Sequence, residues 1–119
     1  MQTNINILIV DDSSTIRSVV KKSLKAMGFQ VESIFEAEDG QIAFQMMDEN
    51  EIQFIISDLI MPKMDGLELL SKIRKSEKFN EAPFLMTTSV TDTEKIIEAF
   101  EKVWNAVQKG DINVSQTSK

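Results

Sequence analysis

Residues 6–12 read NILIVDD: four consecutive apolar residues, Ile7, Leu8, Ile9 and Val10, run straight into Asp11 and Asp12. A run this short and this β-branched predicts a strand buried on both faces, as in a parallel sheet. It delivers two carboxylates to one point at its end. The pattern returns in FIISD, residues 54–58, where another apolar strand ends in Asp58. Outward from these two segments the periodicity alternates. Ser13 or Ser14 caps a helix with Ile16, Val19, Val20, Leu24 and Met27 on one face and Gly28 at its stop. FQVESIF (29–35) reads as a second strand. Asp39 or Gly40 then starts a helix with Ile42, Ala43, Met46 and Met47 facing inward. After the third strand, IQFIIS (52–57), Pro62 fixes φ in a turn and Asp65 opens a helix carrying Leu67, Leu70 and Ile73. Gly66 lets that helix begin tightly. Pro83 introduces a fourth strand, FLMTTS (84–89), and Asp92 or Thr93 caps a last helix. Strand and helix alternating at this spacing predict an α/β domain around a parallel sheet.

Composition narrows the function. The chain has 119 residues, 42% of them hydrophobic and 27% charged, which suits one globular domain with a single core. Residues 1–110 are expected to form that domain and 111–119 a polar tail or an exchanged strand. The absence of cysteine excludes a disulfide framework and thiolate metal sites, and the absence of histidine excludes an imidazole base or ligand. A net charge of −6 argues against nucleic-acid binding, which needs a basic face. No apolar run approaches the ~20 residues that span a bilayer, and no basic-then-apolar leader opens the chain. The expectation is a cytoplasmic protein without membrane or nucleic-acid partners.

In an open parallel sheet, function gathers at the carboxyl ends of the strands, where the strand order reverses. With the flavodoxin-like order 2-1-3-4-5, the first and third strands are neighbours there, and Asp11 and Asp12 come to lie beside Asp58. Clustered carboxylates repel one another unless one protonates or a cation fills the cluster. With oxygen ligands alone, that cation is hard and octahedral: Mg²⁺, with Mn²⁺ able to substitute. Thr87, Thr88 and Ser89 bring hydroxyls to the same edge. Carboxylates, a divalent cation and a hydroxyl donor make a site for a phosphoryl group, with one carboxylate free to act as nucleophile.

LIVDDSSTIRSVVKKSL, EAEDGQIAF, ISDLIMPKMDGLELLSKIR and FLMTTS resemble, in order, the receiver domains of two-component response regulators, in particular the free-standing chemotaxis type. The resemblance runs from residue 5 to about residue 100. It implies a three-layer α/β sandwich in which Asp58 accepts a phosphoryl group from a histidine kinase or phosphotransfer protein. It implies Mg²⁺ held by Asp12, Asp58 and the backbone carbonyl of Ile60, with Asp11 binding directly or through a water. Thr88 matches the family's switch hydroxyl. Such a domain hydrolyses its own phosphoryl group and is not a conventional enzyme. Its output is a protein–protein contact. Two other readings are a pseudo-receiver that signals without phosphorylation and a Mg²⁺-dependent aspartyl phosphatase.

The C-terminal part departs from the pattern. Receiver domains carry a lysine after a fifth strand, and that lysine contacts the phosphoryl group. Here the matching text is NAVQKGD (105–111), with Lys109 in that place. Ile96, Ile97, Phe100, Val103, Trp104 and Val107 instead follow helical spacing from Asp92 to Lys109, with Gly110 as the stop. The favoured reading is one long helix, so that the fifth strand and the helix after it are missing or rearranged. A projecting helix with Phe100, Val103, Trp104 and Val107 partly uncovered beside an open strand edge predicts a homodimer through residues 92–115, with INVS (112–115) exchanged. The alternative is a monomer in which AVQK (106–109) is a shortened strand and Lys109 reaches the phosphoryl group.

Overall fold

A computed structural model describes residues 5–26, 34–79 and 81–87, together with 98, 99, 101–103, 105, 106 and 109. Strands β1 (Ile7–Val10), β2 (Ile34–Ala37), β3 (Phe54–Asp58) and β4 (Phe84–Thr87) alternate with helices α1 (Ser14–Ala26), α2 (Gly40–Glu49) and α3 (Gly66–Arg74). The strands form one parallel sheet in the order β2-β1-β3-β4. From β1 the chain moves outward to β2, then jumps back over β1 to β3. The order therefore reverses between β1 and β3.

Both faces of the sheet are covered, which explains why β1 is apolar at every position and β3 at its first three. Ile7 and Ile9 of β1 and Phe54 and Ile56 of β3 pack with Val20 and Leu24 of α1. Leu8, Val10 and Ile55 face the opposite way, onto Ala43 and Met47 of α2 and Leu69 and Ile73 of α3. These are the three layers expected of the flavodoxin-like class.

Several local expectations shift. The second strand covers Ile34–Ala37, sharing its first two residues with the predicted 29–35 and running two further, while residues 27–33 lie outside the described residues. On α1, Val19 is exposed, leaving Val20 and Leu24 as its buried residues. On α3, Leu67 is 60% exposed and the buried stripe is Gly66, Leu69 and Ile73. Those three lie at i, i+3 and i+7, the spacing of one helical face, and Leu67 falls off it.

After β4 the described residues among 98–109 are helical, including Ala106 and Lys109. No fifth strand occurs among the described residues, and Lys109 lies exposed on a helix rather than at a strand end. Val103 is 6% exposed and joins Val20 and Leu24 in the core on the α1 side, with Ala99 against it. Its inclusion in an uncovered stripe is thus corrected: the helix lies on the sheet and buries this residue. Phe100, Trp104, Val107 and the segment 110–115 lie outside the described residues. Among the described residues, no helix is long and apolar enough to cross a membrane.

Candidate functional site

The register places the acids. Val10 of β1 pairs with Ser57 of β3, so one step further Asp11 stands opposite Asp58. On the other side of β3, Asp58 pairs with Thr87. Carboxylate oxygens of Asp11, Asp12 and Asp58 all lie within 4.8 Å of one another, at the point where the strand order reverses. Thr88 and Ser89, the next residues after Thr87, lie outside the described residues.

Each acid is held differently. Asp11 is buried, and its amide donates to the Ala37 carbonyl oxygen at 3.0 Å, extending the β1–β2 ladder. Its Oδ1 accepts from the Ser13 amide at 2.9 Å, the turn that starts α1. Ser13 then caps that helix, its Oγ accepting from the Ile16 amide at 3.3 Å. Burial lifts the Asp11 carboxyl above its ordinary pKa, and the neighbouring Asp58 and Asp12 add to the rise against the Ser13 hydrogen bond. Asp12 is exposed and Asp58 half-buried.

The loop after Asp58 is folded back on the strand end. Ser57 Oγ donates to the Asp58 carbonyl oxygen at 2.8 Å, and the Gly66 amide donates to the Leu59 carbonyl oxygen at 2.8 Å. Between them the Met64 amide donates to the Pro62 carbonyl oxygen at 2.6 Å, closing a γ-turn with Lys63 at φ 66°. A lysine in this left-handed region is uncommon and was not anticipated. Asp39 carries two duties here: Oδ1 caps α2 by accepting from the Ile42 amide at 2.9 Å, and Oδ2 lies 3.9 Å from Lys63 Nζ. Ile60, in the same loop, projects its side chain into solvent, 77% exposed.

Sequence reasoning brought Asp11, Asp12 and Asp58 to one place. It missed Arg17, Lys21 and Glu36. Arg17 Nε donates to Glu36 Oε1 at 2.9 Å, Lys21 Nζ donates to Glu36 Oε2 at 2.8 Å, and Arg17 Nη1 donates to the Asp11 carbonyl oxygen at 2.6 Å. The available signal was the place of Arg17 in the opening turns of the helix that follows the acidic pair.

A parallel α/β sheet with an acid cluster at its switch point defines an acid-pocket domain of the doubly wound class. The chain belongs to the response regulator receiver domain family, whose family model matches residues 7–109. Chemotaxis protein CheY-3 of Vibrio cholerae is 41% identical over 99 residues, covering 83% of this chain and 75% of that protein. Chemotaxis protein CheY1 of Helicobacter pylori is 38% identical over 96 residues, covering 80% of this chain and 76% of that protein. Among solved structures, the chemotaxis response regulator CheY4 of Vibrio cholerae superposes with a TM-score of 0.64 at 28% identity, covering 90% of this chain and 98% of that one. The chain is a receiver domain homologous to chemotaxis response regulators, a class of signalling switch.

Proposed function

We propose that this receiver domain is switched by phosphorylation of Asp58. The observation that carries the reading is the convergence of three carboxylates within 4.8 Å at the β1–β3 switch point. The donor set fits a hard divalent cation: it is all oxygen, it is close-set, and Asp11 sits where burial and its acidic neighbours penalise its charge. Asp11, Asp12 and Asp58, with the Ile60 backbone carbonyl, would hold Mg²⁺, or Mn²⁺ in its place. The bound cation supplies charge neutralisation for phosphoryl oxygens.

The chain's own groups supply the rest. An Asp58 carboxylate oxygen attacks phosphorus of a phosphohistidine on a histidine kinase or phosphotransfer protein. The P–N bond breaks, its electron pair returns to the imidazole nitrogen, and an acyl phosphate forms on Asp58. Thr88 follows Thr87, the residue in register with Asp58, and supplies the hydroxyl that reads the phosphoryl group. The helical, exposed setting of Lys109 supports a site that works without a strand-end lysine. Output passes through protein contact in the cytoplasm, and 1–110 acts as the switching unit.

Incubation with acetyl phosphate and Mg²⁺ should add one phosphoryl group to the parent protein and none to Asp58→Asn, read by intact mass. Equal labelling of the two would overturn the assignment. No labelling of either would favour a receiver fold that signals without phosphorylation.

A further inference from the structure

Arg17 bridges two elements. One nitrogen of its guanidinium, Nε, is tied to Glu36 on β2, while Nη1 donates to the Asp11 carbonyl oxygen at 2.6 Å. Lys21 takes the second oxygen of Glu36, so the carboxylate is fixed from two sides. The Asp11 carbonyl lies past the last β1–β2 pair, Val10↔Ala37, and outside the intrahelical bonds of α1. A carbonyl in this half-buried place needs a donor, and among the described residues Arg17 supplies it.

That carbonyl belongs to the peptide joining Asp11 to Asp12. Because a peptide unit is planar, pinning its oxygen sets the direction in which the Asp12 backbone leaves it. The Asp11 amide is held by Ala37 and the Asp11 Oδ1 by the Ser13 amide, so this carbonyl is the further point at which the backbone between the two acids is anchored. We infer that Arg17, anchored by Glu36, is a positioning residue that aims the Asp11 and Asp12 carboxylates into the acid pocket. Glu36 has a second consequence. It occupies the guanidinium, and among the described residues no basic side chain forms an ion pair with Asp11, Asp12 or Asp58. The pocket is thereby left open to a diffusible cation.

The inference rests on the Mg²⁺ reading, and the sign of one measurement separates positioning from charge. Removing a positive side chain beside a cation site should, by Coulomb's law alone, tighten cation binding. Removing a group that orients the ligands should weaken it, by about tenfold for a hydrogen-bonding support of this kind. The experiment is calorimetric titration of the full chain with Mg²⁺, comparing the parent, Arg17→Gln and Arg17→Lys, with Asp12→Ala as the binding-deficient control. Arg17→Gln is expected to bind Mg²⁺ about tenfold more weakly. Arg17→Lys, which keeps the charge but lacks the planar fork that reaches both partners, is expected not to recover it. Should Arg17→Gln fail to fold, Arg17→Lys carries the comparison with the same weakening expected. Equal or tighter binding by Arg17→Gln, or full recovery in Arg17→Lys, would overturn the inference while leaving the metal site standing. A parent protein that binds no Mg²⁺ would overturn both.

Discussion

Gly66 has no room for a side chain. A Cβ built there would run into the Asp58 carbonyl oxygen and lie 3.1 Å from the Leu59 Cα, both backbone atoms that cannot swing aside. Gly66→Ala should therefore cost about 1–3 kcal/mol in denaturant unfolding, the range for overpacking. It should also slow acetyl-phosphate labelling, because the displaced backbone carries the phosphoacceptor. Glu36 makes a second residue-level prediction. The Lys21 hydrogen bond, with Arg17 adding and burial opposing, holds its carboxyl below the ordinary value of 4.5. A carboxyl lowered on folding contributes stability above its unfolded pKa and loses it as pH falls through the folded pKa. The parent should thus lose stability relative to Glu36→Gln as pH is lowered below 4.5, with both followed by thermal unfolding. A constant difference across that range would count against a structural ion pair. At this scale Asp11, Asp12 and Asp58 were legible because each ends an apolar run, and strand ends meet at a switch point. Arg17 was not, because one of its partners is a backbone carbonyl, which side-chain identity does not encode, and the other, Glu36, lies on a different strand. Lys63 in the left-handed region was hidden for the same reason: a γ-turn is a backbone event, and Pro62 marks only its approach.

Helix α3 begins with a capping box that the sequence does announce. Asp65 Oδ1 accepts from the Glu68 amide at 2.8 Å, and Glu68 Oε1 accepts from the Asp65 amide at 3.1 Å. Asp65→Ala should cost about 1 kcal/mol, with Asp65→Asn retaining most of the cap. Equal losses in the two variants would point to charge rather than to capping. On the inward face of α3 Ile73 is buried as expected, and Leu67 is not, for a physical reason. Leu67, Leu69 and Leu70 compete for one stripe, and only contact with the sheet decides that Leu69 takes it. The strands were easier to place than the helix faces. β1 and β3 are apolar at nearly every position because both sides of them are covered, whereas β2, at the edge, mixes Glu36 among its apolar residues and drifted in the reading.

At the scale of the whole molecule, the described residues form four strands of the five in the expected order, and the difference lies at the β4 side of the sheet. Among the described residues, β4 pairs with β3 alone, and each of its residues, Phe84 to Thr87, is only partly buried. This part of the chain was legible as a helix because Ile96 through Val107 keep one periodicity, and Ala106 and Lys109 are indeed helical. What covers β4 could not be read from the sequence, since INVS suits either a tail or a strand. A partly covered sheet edge supports the proposed second copy of the chain, and light scattering across a dilution series should show a dimer giving way to monomer. A constant monomer mass at high concentration would remove the dimer and leave the switch unaffected. The account as a whole stands on a covalent bond at one residue. Borohydride reduction of the phosphorylated protein converts an aspartyl phosphate to homoserine, and peptide mass spectrometry then locates it. The account predicts homoserine at position 58 alone, formed only when acetyl phosphate and Mg²⁺ were both present. Homoserine at position 11 or 12, or a phosphoryl group that resists reduction on a hydroxyl residue, would contradict it.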